Sequence, residues 1–303
     1  MKRRQFLGLL GAGVGVLASG TISAANQTGL LRKAIPSSGE RIPAVGMGSS
    51  ITFNVGSDPA ARDQRSAVLG AFFKQGGGLI DSSPMYGSSE AVIGHGLGRQ
   101  SDVSGLFSAT KVWTSAGEDG PSEIEASRRL WGVKRFDLLQ VHNLLAWEEH
   151  LETLLSMKEQ GRVRYVGITT SHGRRHSDLE EIMKDRPIDF IQASYNILDR
   201  ELEQRILPLA VERGIAVIAN RPYRRGGLID HVKRYPLPGW AREFDCTDWA
   251  GFLLKFIISH PAVTCAIPAT SRVDHMLENI GAMHGRLPEP DMRRRMSAYI
   301  EAL

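Results

Sequence analysis

The sequence predicts a (β/α)8 barrel with an N-terminal β-hairpin, and three observations carry that expectation. Eight short apolar runs recur along the chain. Helix-patterned segments separate them, joined by short turns. The runs are apolar throughout rather than alternating, the pattern of parallel strands covered on both faces. Eight such units in roughly 250 residues suit a closed barrel better than an open doubly wound sheet.

In chain order, "LLRKAIPSSGERIPAVG" (30–46) sets a Ser-Ser-Gly turn between two short apolar runs and reads as a hairpin plugging the barrel's bottom. Strands are expected at "AVGMG" (44–48), "GLIDS" (78–82), "LFSAT" (106–110) and "FDLLQVH" (136–142). They continue at "RYVGIT" (164–169), "DFIQAS" (189–194), "IAVIAN" (215–220) and "TCAIP" (264–268). Helical periodicity falls at about 60–75, 88–99, 121–131, 148–160, 176–184, 200–213, 247–259 and 273–283. A last amphipathic stretch spans 289–302, with no long C-terminal loop expected after it to cap the pocket.

Composition narrows the function. The net charge is +4, of which Lys2, Arg3 and Arg4 supply three, leaving 4 − 3 = +1 for a chain without its N-terminus. A nucleic-acid-binding surface is therefore not indicated. The opening "MKRRQFLGLLGAGVGVLASGTISAAN" has a charged start, an apolar run too short to span a bilayer, and a small-x-small site at Ser23-Ala24-Ala25. Arg3-Arg4 followed by Gln5, Phe6 and Leu7 resembles a twin-arginine signal, which engages the Tat machinery and exports a folded protein. Residues 1–25 are thus expected to be removed and 26–303 to form a periplasmic, monomeric barrel with no stable membrane anchor. Cys246 and Cys265 read as free thiols, one in a polar loop or helix start and one in an apolar strand.

The chemistry lies where the strands end, since a barrel of this kind keeps its active site at the strands' C-terminal side. Asp81, Lys111, His142, Thr169, Thr170, Gln192, Asn220 and Arg221 all fall there. "GVGVLA" (13–18) satisfies a dinucleotide fingerprint but follows no strand and is set aside. His172 and His176 are four apart, yet they flank a cationic loop, and no metal site is expected.

"GGGLIDSSPMYGSSEAVIGHGLG", "SATKVW", "LLQVHN", "QASYN" and "IPATSRVDHMLENI" together resemble the aldo-keto reductase family, in order, from about Ile42 to Asn279. The resemblance places the family's catalytic tetrad on Asp81, Tyr86, Lys111 and His142. Reduction of a carbonyl develops negative charge on oxygen, which needs a proton donor and positive potential. A phenol near its ordinary pKa of about 10 is a reluctant acid. Lys111 beside Tyr86 is expected to lower that pKa, Asp81 to keep Lys111 charged, and His142 to orient the carbonyl.

The resemblance further implies NADPH, with NADH as the alternative. Ser49, Thr169, Thr170, Gln192 and Asn220 fall at the nicotinamide positions and Arg221 beside the pyrophosphate. Thr270, Ser271, Arg272 and His275 match the 2′-phosphate pocket, and Glu278 and Asn279 the adenine contacts. Three positions depart from the family pattern: Thr170 stands for Asn, Asn220 for the aromatic that stacks on nicotinamide, and His275 for Arg. Tyr223 is a candidate replacement for the lost aromatic, and Trp113 a wall of the substrate pocket. The implied activity is reduction of aldehydes or ketones to alcohols. The same residues serve an alcohol or sugar dehydrogenase in reverse, and a cofactor-binding sensor or interaction subunit is the rival from another class. The segments near 113–120 and 223–245 are left to choose an aromatic or an anionic substrate.

Overall fold

The computed structural model describes residues 29–303, so the expected export signal and its cleavage near Ala25 lie outside the described residues. Strands β1 (Arg32–Ala34) and β2 (Arg41–Pro43) pair antiparallel, Lys33 opposite Ile42. This is the expected hairpin. Ile35 and Ile42 turn inward from it and join the apolar residues of the barrel lumen.

Eight parallel strands follow: β3 (Met47–Gly48), β4 (Leu79–Asp81), β5 (Phe107–Val112), β6 (Phe136–Val141), β7 (Val163–Thr169), β8 (Phe190–Ser194), β9 (Ala216–Asn220) and β10 (Cys265–Ala266). Each pairs with its sequence neighbour. Bridges of Val45 to Ala266 and of Gly48 to Ala269 close the ring. The two strands at this seam are the shortest, two residues each against the five expected. Outside those two residues the seam is held by single bonds such as Gly46 N to Ala266 O and Ala266 N to Ala44 O, and Pro268 has no N–H to carry β10 further.

The helices α1 (Pro59–Lys74), α2 (Ser89–Leu97), α3 (Gly120–Trp131), α4 (Trp147–Glu159) and α5 (His176–Asp185) fall within two residues of expectation. The segment expected as one helix over 200–213 instead divides into a 3-10 turn, Glu201–Glu203, and α6 (Ile206–Arg213). Pro208 is tolerated only in a first turn, so the helix has to begin just ahead of it. A short helix, α7 (Gly227–Val232), and a 3-10 segment, Gly239–Phe244, occupy a stretch with no expected element. Helices α8 (Trp249–Ile258), α9 (Val273–Gly281) and α10 (Pro290–Glu301) complete the shell.

Strand alternation divides the core into two compartments. One set of side chains, including Leu79, Phe107, Leu138, Tyr165, Phe190 and Ile218, fills the lumen. The other, including Ile80, Leu139, Val166, Ile191 and Val217, faces the helices. Phe107, Tyr165 and Phe190 pack together with ring centroids 5.6–6.1 Å apart. Above this apolar layer the same inward positions turn polar: Asp81, Lys111, Gln140 and Gln192. Gly167 makes room there, since a Cβ on it would come within 2.7 Å of Phe190 O and 3.3 Å of the Gln140 side chain. Both cysteines are free and buried. Cys246, expected in a polar loop or helix start, packs inward with its thiol pushed up to about 11 by burial.

Helix α2, which follows the turn carrying Tyr86, is held close to α3. Glu90 accepts from Thr110 Oγ1 (2.6 Å), Ser127 Oγ (2.8 Å) and Trp131 Nε1 (3.1 Å), tying α2 to both β5 and α3. A Cβ on Gly94 would stand 1.8 Å from Leu130 O. Alanine gains about 1 kcal/mol over glycine inside a helix, but here that gain is offset by separating two packed backbones. Gly94→Ala is therefore expected to lower unfolding free energy by about 2 kcal/mol, seen as a lower urea midpoint at unchanged slope.

Candidate active site

The polar layer converges on one carboxylate. Asp81, the last residue of β4, accepts from Lys111 Nζ at 2.6 Å on Oδ2. Its Oδ1 accepts from Gln192 Nε2 at 2.8 Å and Gln140 Nε2 at 3.2 Å. Lys111 Nζ also donates to Ser82 O at 2.7 Å, and its side chain is wholly buried. Ser49 Oγ, at the end of β3, donates to Asp81 O (2.9 Å) and Ser82 Oγ (2.8 Å), which fixes the start of the loop that carries Tyr86.

Ser83 caps the 3-10 turn Pro84–Tyr86, its Oγ accepting from Met85 N at 3.2 Å. That turn brings Tyr86 over the pair. The Lys111 ammonium lies 5.2 Å from the Tyr86 ring centroid, and the His142 ring packs edge-on to it at 5.6 Å. Trp113, two residues beyond Lys111, covers the other side of His142 at 4.9 Å, its backbone N donating to Glu123 Oε2 at 2.5 Å. Asp81, Tyr86, Lys111, His142 and Trp113 therefore meet in one place.

The electrostatics differ from the expected lowering of the tyrosine. Burial pushes the Tyr86 phenol up, and although Lys111 pulls it down, the net direction is upward. Lys111 itself loses to burial, but Asp81 and then Tyr86 more than offset that and hold the ammonium above its ordinary value. Burial, aided by Lys111, pushes His142 down to about 2. His142 is thus neutral at all ordinary pH. Ser83 Oγ lies 2.8 Å from its Nδ1. That hydroxyl accepts from Met85 N and can give its own proton to Nδ1, the arrangement that puts the ring proton on Nε2.

Around this centre, Thr170 Oγ1 is buried with no partner, while Thr169 Oγ1 accepts from Asn143 N at 3.0 Å. Asn220 is bound into the rim: Nδ2 donates to Thr170 O (3.0 Å) and Gln192 Oε1 (3.4 Å), and Oδ1 accepts from Ser194 Oγ (2.7 Å). Arg221 Nη1 donates to His172 Nε2 at 2.6 Å, joining the loop after β7 to the one after β9. Tyr223, expected near the substrate, instead donates its hydroxyl to Asn279 Oδ1 at 2.6 Å, pinning the β9 loop to α9. Thr270 Oγ1 accepts from Arg272 N at 3.1 Å, and the exposed Arg272 pairs with Asp274 at 2.9 Å. Ser271 is half-buried nearby, and His275 and Glu278 are exposed.

Three participants were not singled out from sequence: Gln140, Ser83 and Glu90. Gln140 had a signal, because Leu138, Gln140 and His142 share one strand face and point inward together.

A model of the Aldo/keto reductase family matches residues 44–300. The chain belongs to that family. Among its aldo/keto reductase relatives, "Methylglyoxal reductase YeaE" of Escherichia coli is 26% identical over 275 residues, covering 88% of this chain and 95% of the relative. The thermostable aldo-keto reductase Tm1743, solved with the inhibitor epalrestat, is 27% identical with a TM-score of 0.75, covering 89% and 99% of the two chains. An aldo-keto reductase from Klebsiella pneumoniae solved with NADPH superposes with a TM-score of 0.74 at 21% identity, covering 89% and 96%.

The depressed value of His142 sets a test. An imidazole whose folded pKa is about 2 stays neutral across the neutral range, so its ring nitrogens are expected to show no titration between about pH 5 and 9 by NMR. A titration near 6.5 would mean the ring is not buried against Lys111.

Proposed function

We propose that this protein reduces an aldehyde or ketone to the alcohol with NADPH, Tyr86 giving the proton; NADH is the alternative cofactor. One observation carries the reading. A fully buried, charged Lys111 is held 2.6 Å from Asp81 and 5.2 Å from the Tyr86 ring at the mouth of an aldo/keto reductase barrel. The relative named a methylglyoxal reductase supports carbonyl reduction, and the Klebsiella protein solved with NADPH supports the cofactor.

The residues present fit a nicotinamide dinucleotide. Thr170 Oγ1 is a buried polar atom without a partner, and Arg221 meets a neutral imidazole rather than an acid. In this reading Ser49, Thr169, Thr170, Gln192 and Asn220 hold the nicotinamide end and Arg221 the pyrophosphate. Thr270, Ser271, Arg272 and His275 hold the 2′-phosphate, and Glu278 and Asn279 the adenine. When bound, the reduced nicotinamide supplies the hydride.

The chain's own contribution is the proton and the field. The phenol of Tyr86 is protonated at rest because burial outweighs Lys111, so it is ready to donate. As charge grows on the carbonyl oxygen, the Lys111 ammonium stabilises it and the phenolate left behind. Neutral His142, with its proton on Nε2, offers a hydrogen bond that fixes the carbonyl's angle without supplying charge. Trp113 against His142 forms the pocket wall beside it.

Tyr86→Phe keeps the ring and removes the acid. Its turnover of methylglyoxal is expected to fall by about a thousandfold, while NADPH affinity, read by tryptophan fluorescence, changes less than about threefold. Tight binding with no carbonyl reduction by the unmodified protein would favour the sensor reading.

We further propose that residues 1–25 are a twin-arginine signal and that the barrel 26–303 works as a periplasmic monomer. The Arg3-Arg4 pair, the short apolar run and Ser23-Ala24-Ala25 support this. A Tat route passes folded protein, so the barrel would cross already carrying its nucleotide. Arg3→Lys with Arg4→Lys is expected to leave the protein in the cytoplasm, and protein recovered from the periplasm without the change to contain nucleotide. Unchanged export would refute the signal, and an empty periplasmic site the loading.

A further inference from the structure

Behind the pocket wall stand two ionisable side chains that the proton chemistry does not use. Trp113 and Thr114 open the loop after β5, and Trp113 lies against His142 with ring centroids 4.9 Å apart. The backbone of each is bonded to a different helix. Trp113 N donates to Glu123 Oε2 at 2.5 Å, in the first turn of α3. Thr114 O accepts from His150 Nε2 at 2.8 Å, near the start of α4. Two consecutive residues are thus clamped, one through its donor and the next through its acceptor.

Packing alone explains neither side chain. Glu123 is half-buried, and the arginines of its own helix, Arg128 and Arg129, pair with Glu125 instead. Burial holds its carboxyl above the ordinary value, although the Trp113 amide pulls it down. A carboxylate placed there loses hydration, and the hydrogen bond it gains is to the loop. His150 is buried, and Thr114 O can only accept, so Nε2 carries a proton while Nδ1 is left without a partner. A leucine would fill that space with no orphaned nitrogen. What the imidazole adds is its bond to Thr114.

Glycines let these groups come close. A Cβ on Gly120 would stand 2.9 Å from His150 Nδ1, and one on Gly117 would stand 2.0 Å from Glu149 Oε2. The loop from Trp113 to α3 is therefore pressed against the start of α4, with the indole at its front edge.

We propose that Glu123 and His150 are positioning residues that act through Trp113: by fixing the backbone on either side of the indole, they hold it beside His142 to receive the body of the carbonyl substrate. A compound with an aromatic body gains from an indole already in place. One as small as methylglyoxal has no body to set against it. The inference rests on the reductase reading, and the two are tested separately. Methylglyoxal reduction by the unmodified protein with NADPH tests that reading alone.

The clamp is tested by the ratio of kcat/KM for 4-nitrobenzaldehyde over methylglyoxal. In Glu123→Ala this ratio is expected to fall about fivefold, the scale of one hydrogen bond, through KM rather than kcat. Glu123→Gln, which keeps an acceptor for the Trp113 amide, should restore it, and His150→Leu should lower it as Glu123→Ala does. Hydrogen exchange at the Trp113 amide, read by NMR, should quicken about tenfold in Glu123→Ala but not in Glu123→Gln, with the rest of β5 still protected. An unchanged ratio, an equal loss on both substrates, or no rescue by glutamine overturns the positioning role. An unchanged Trp113 amide overturns the clamp itself. Should the unmodified protein reduce neither compound, the reductase reading falls. The clamp is then judged by the amide and by 4-nitrobenzyl alcohol binding with NADP+, which Glu123→Ala should weaken by the same factor.

Discussion

The ion pair of Lys111 with Asp81 is the constraint on which the rest of this protein is arranged. Two charges sit in a barrel lumen whose next layer down is aliphatic and aromatic, a position in which desolvation opposes both. Such a pair persists only when the remaining donors and lone pairs are also met. Here Ser82 O, Gln140 and Gln192 meet them, so that β4, β5, β6 and β8 are tied through one carboxylate. Strands that are not neighbours in the sheet are thereby held together across the lumen by the site's charge. Loosening any of these strands would leave part of a buried charge unsatisfied.

Around that pair, burial and the Lys111 charge act together on each neighbouring group. The Tyr86 phenol is raised by burial and lowered by Lys111, and burial prevails. His142 meets burial and the same ammonium, but for an imidazole both act in one direction, toward the neutral ring. One cation thus does two things. It readies a phenol to lose a proton and denies a histidine the chance to gain one. The local supports are small: a serine hydroxyl at Ser83 that bonds the Nδ1 of His142, and a carboxylate at Glu90 that fixes the helix behind the turn.

Family membership leaves the outer ring of the mouth to this chain's own residues. Where the family pattern has an aromatic, Asn220 is built into a hydrogen-bonded rim with Thr170, Gln192 and Ser194. That rim is polar, and it leaves Thr170 Oγ1 without a partner. Tyr223 is tied by its hydroxyl to Asn279 across the gap to α9. The His172–Arg221 contact spans the same region from loop to loop. In the proposed reaction, the cofactor is gripped by carboxamides, hydroxyls and guanidinium groups where relatives of the family pattern would stack a ring.

The sequence by itself determined the barrel, its hairpin and the positions of most of its strands, and it singled out four residues, Asp81, Tyr86, Lys111 and His142, that the fold brings together. These are legible because continuous apolar runs, helical periodicity and the motifs around Asp81, Lys111 and His142 are local patterns, each carried within about ten residues. It could not decide what depends on contacts between distant segments. Gln140 clasps Asp81 from 59 residues away, and Tyr223 reaches Asn279 across 56. The sign of the shift on Tyr86 was decided only by the fold, since adjacency to Lys111 suggests a lower pKa and only the extent of burial reverses it. The early end of β10 and the divided helix before α6 reflect prolines visible in the sequence, Pro268 and Pro208, yet their consequence needed the neighbouring strand or turn to be in place. Local pattern fixes which way a side chain points; the closed ring of strands fixes what it meets there.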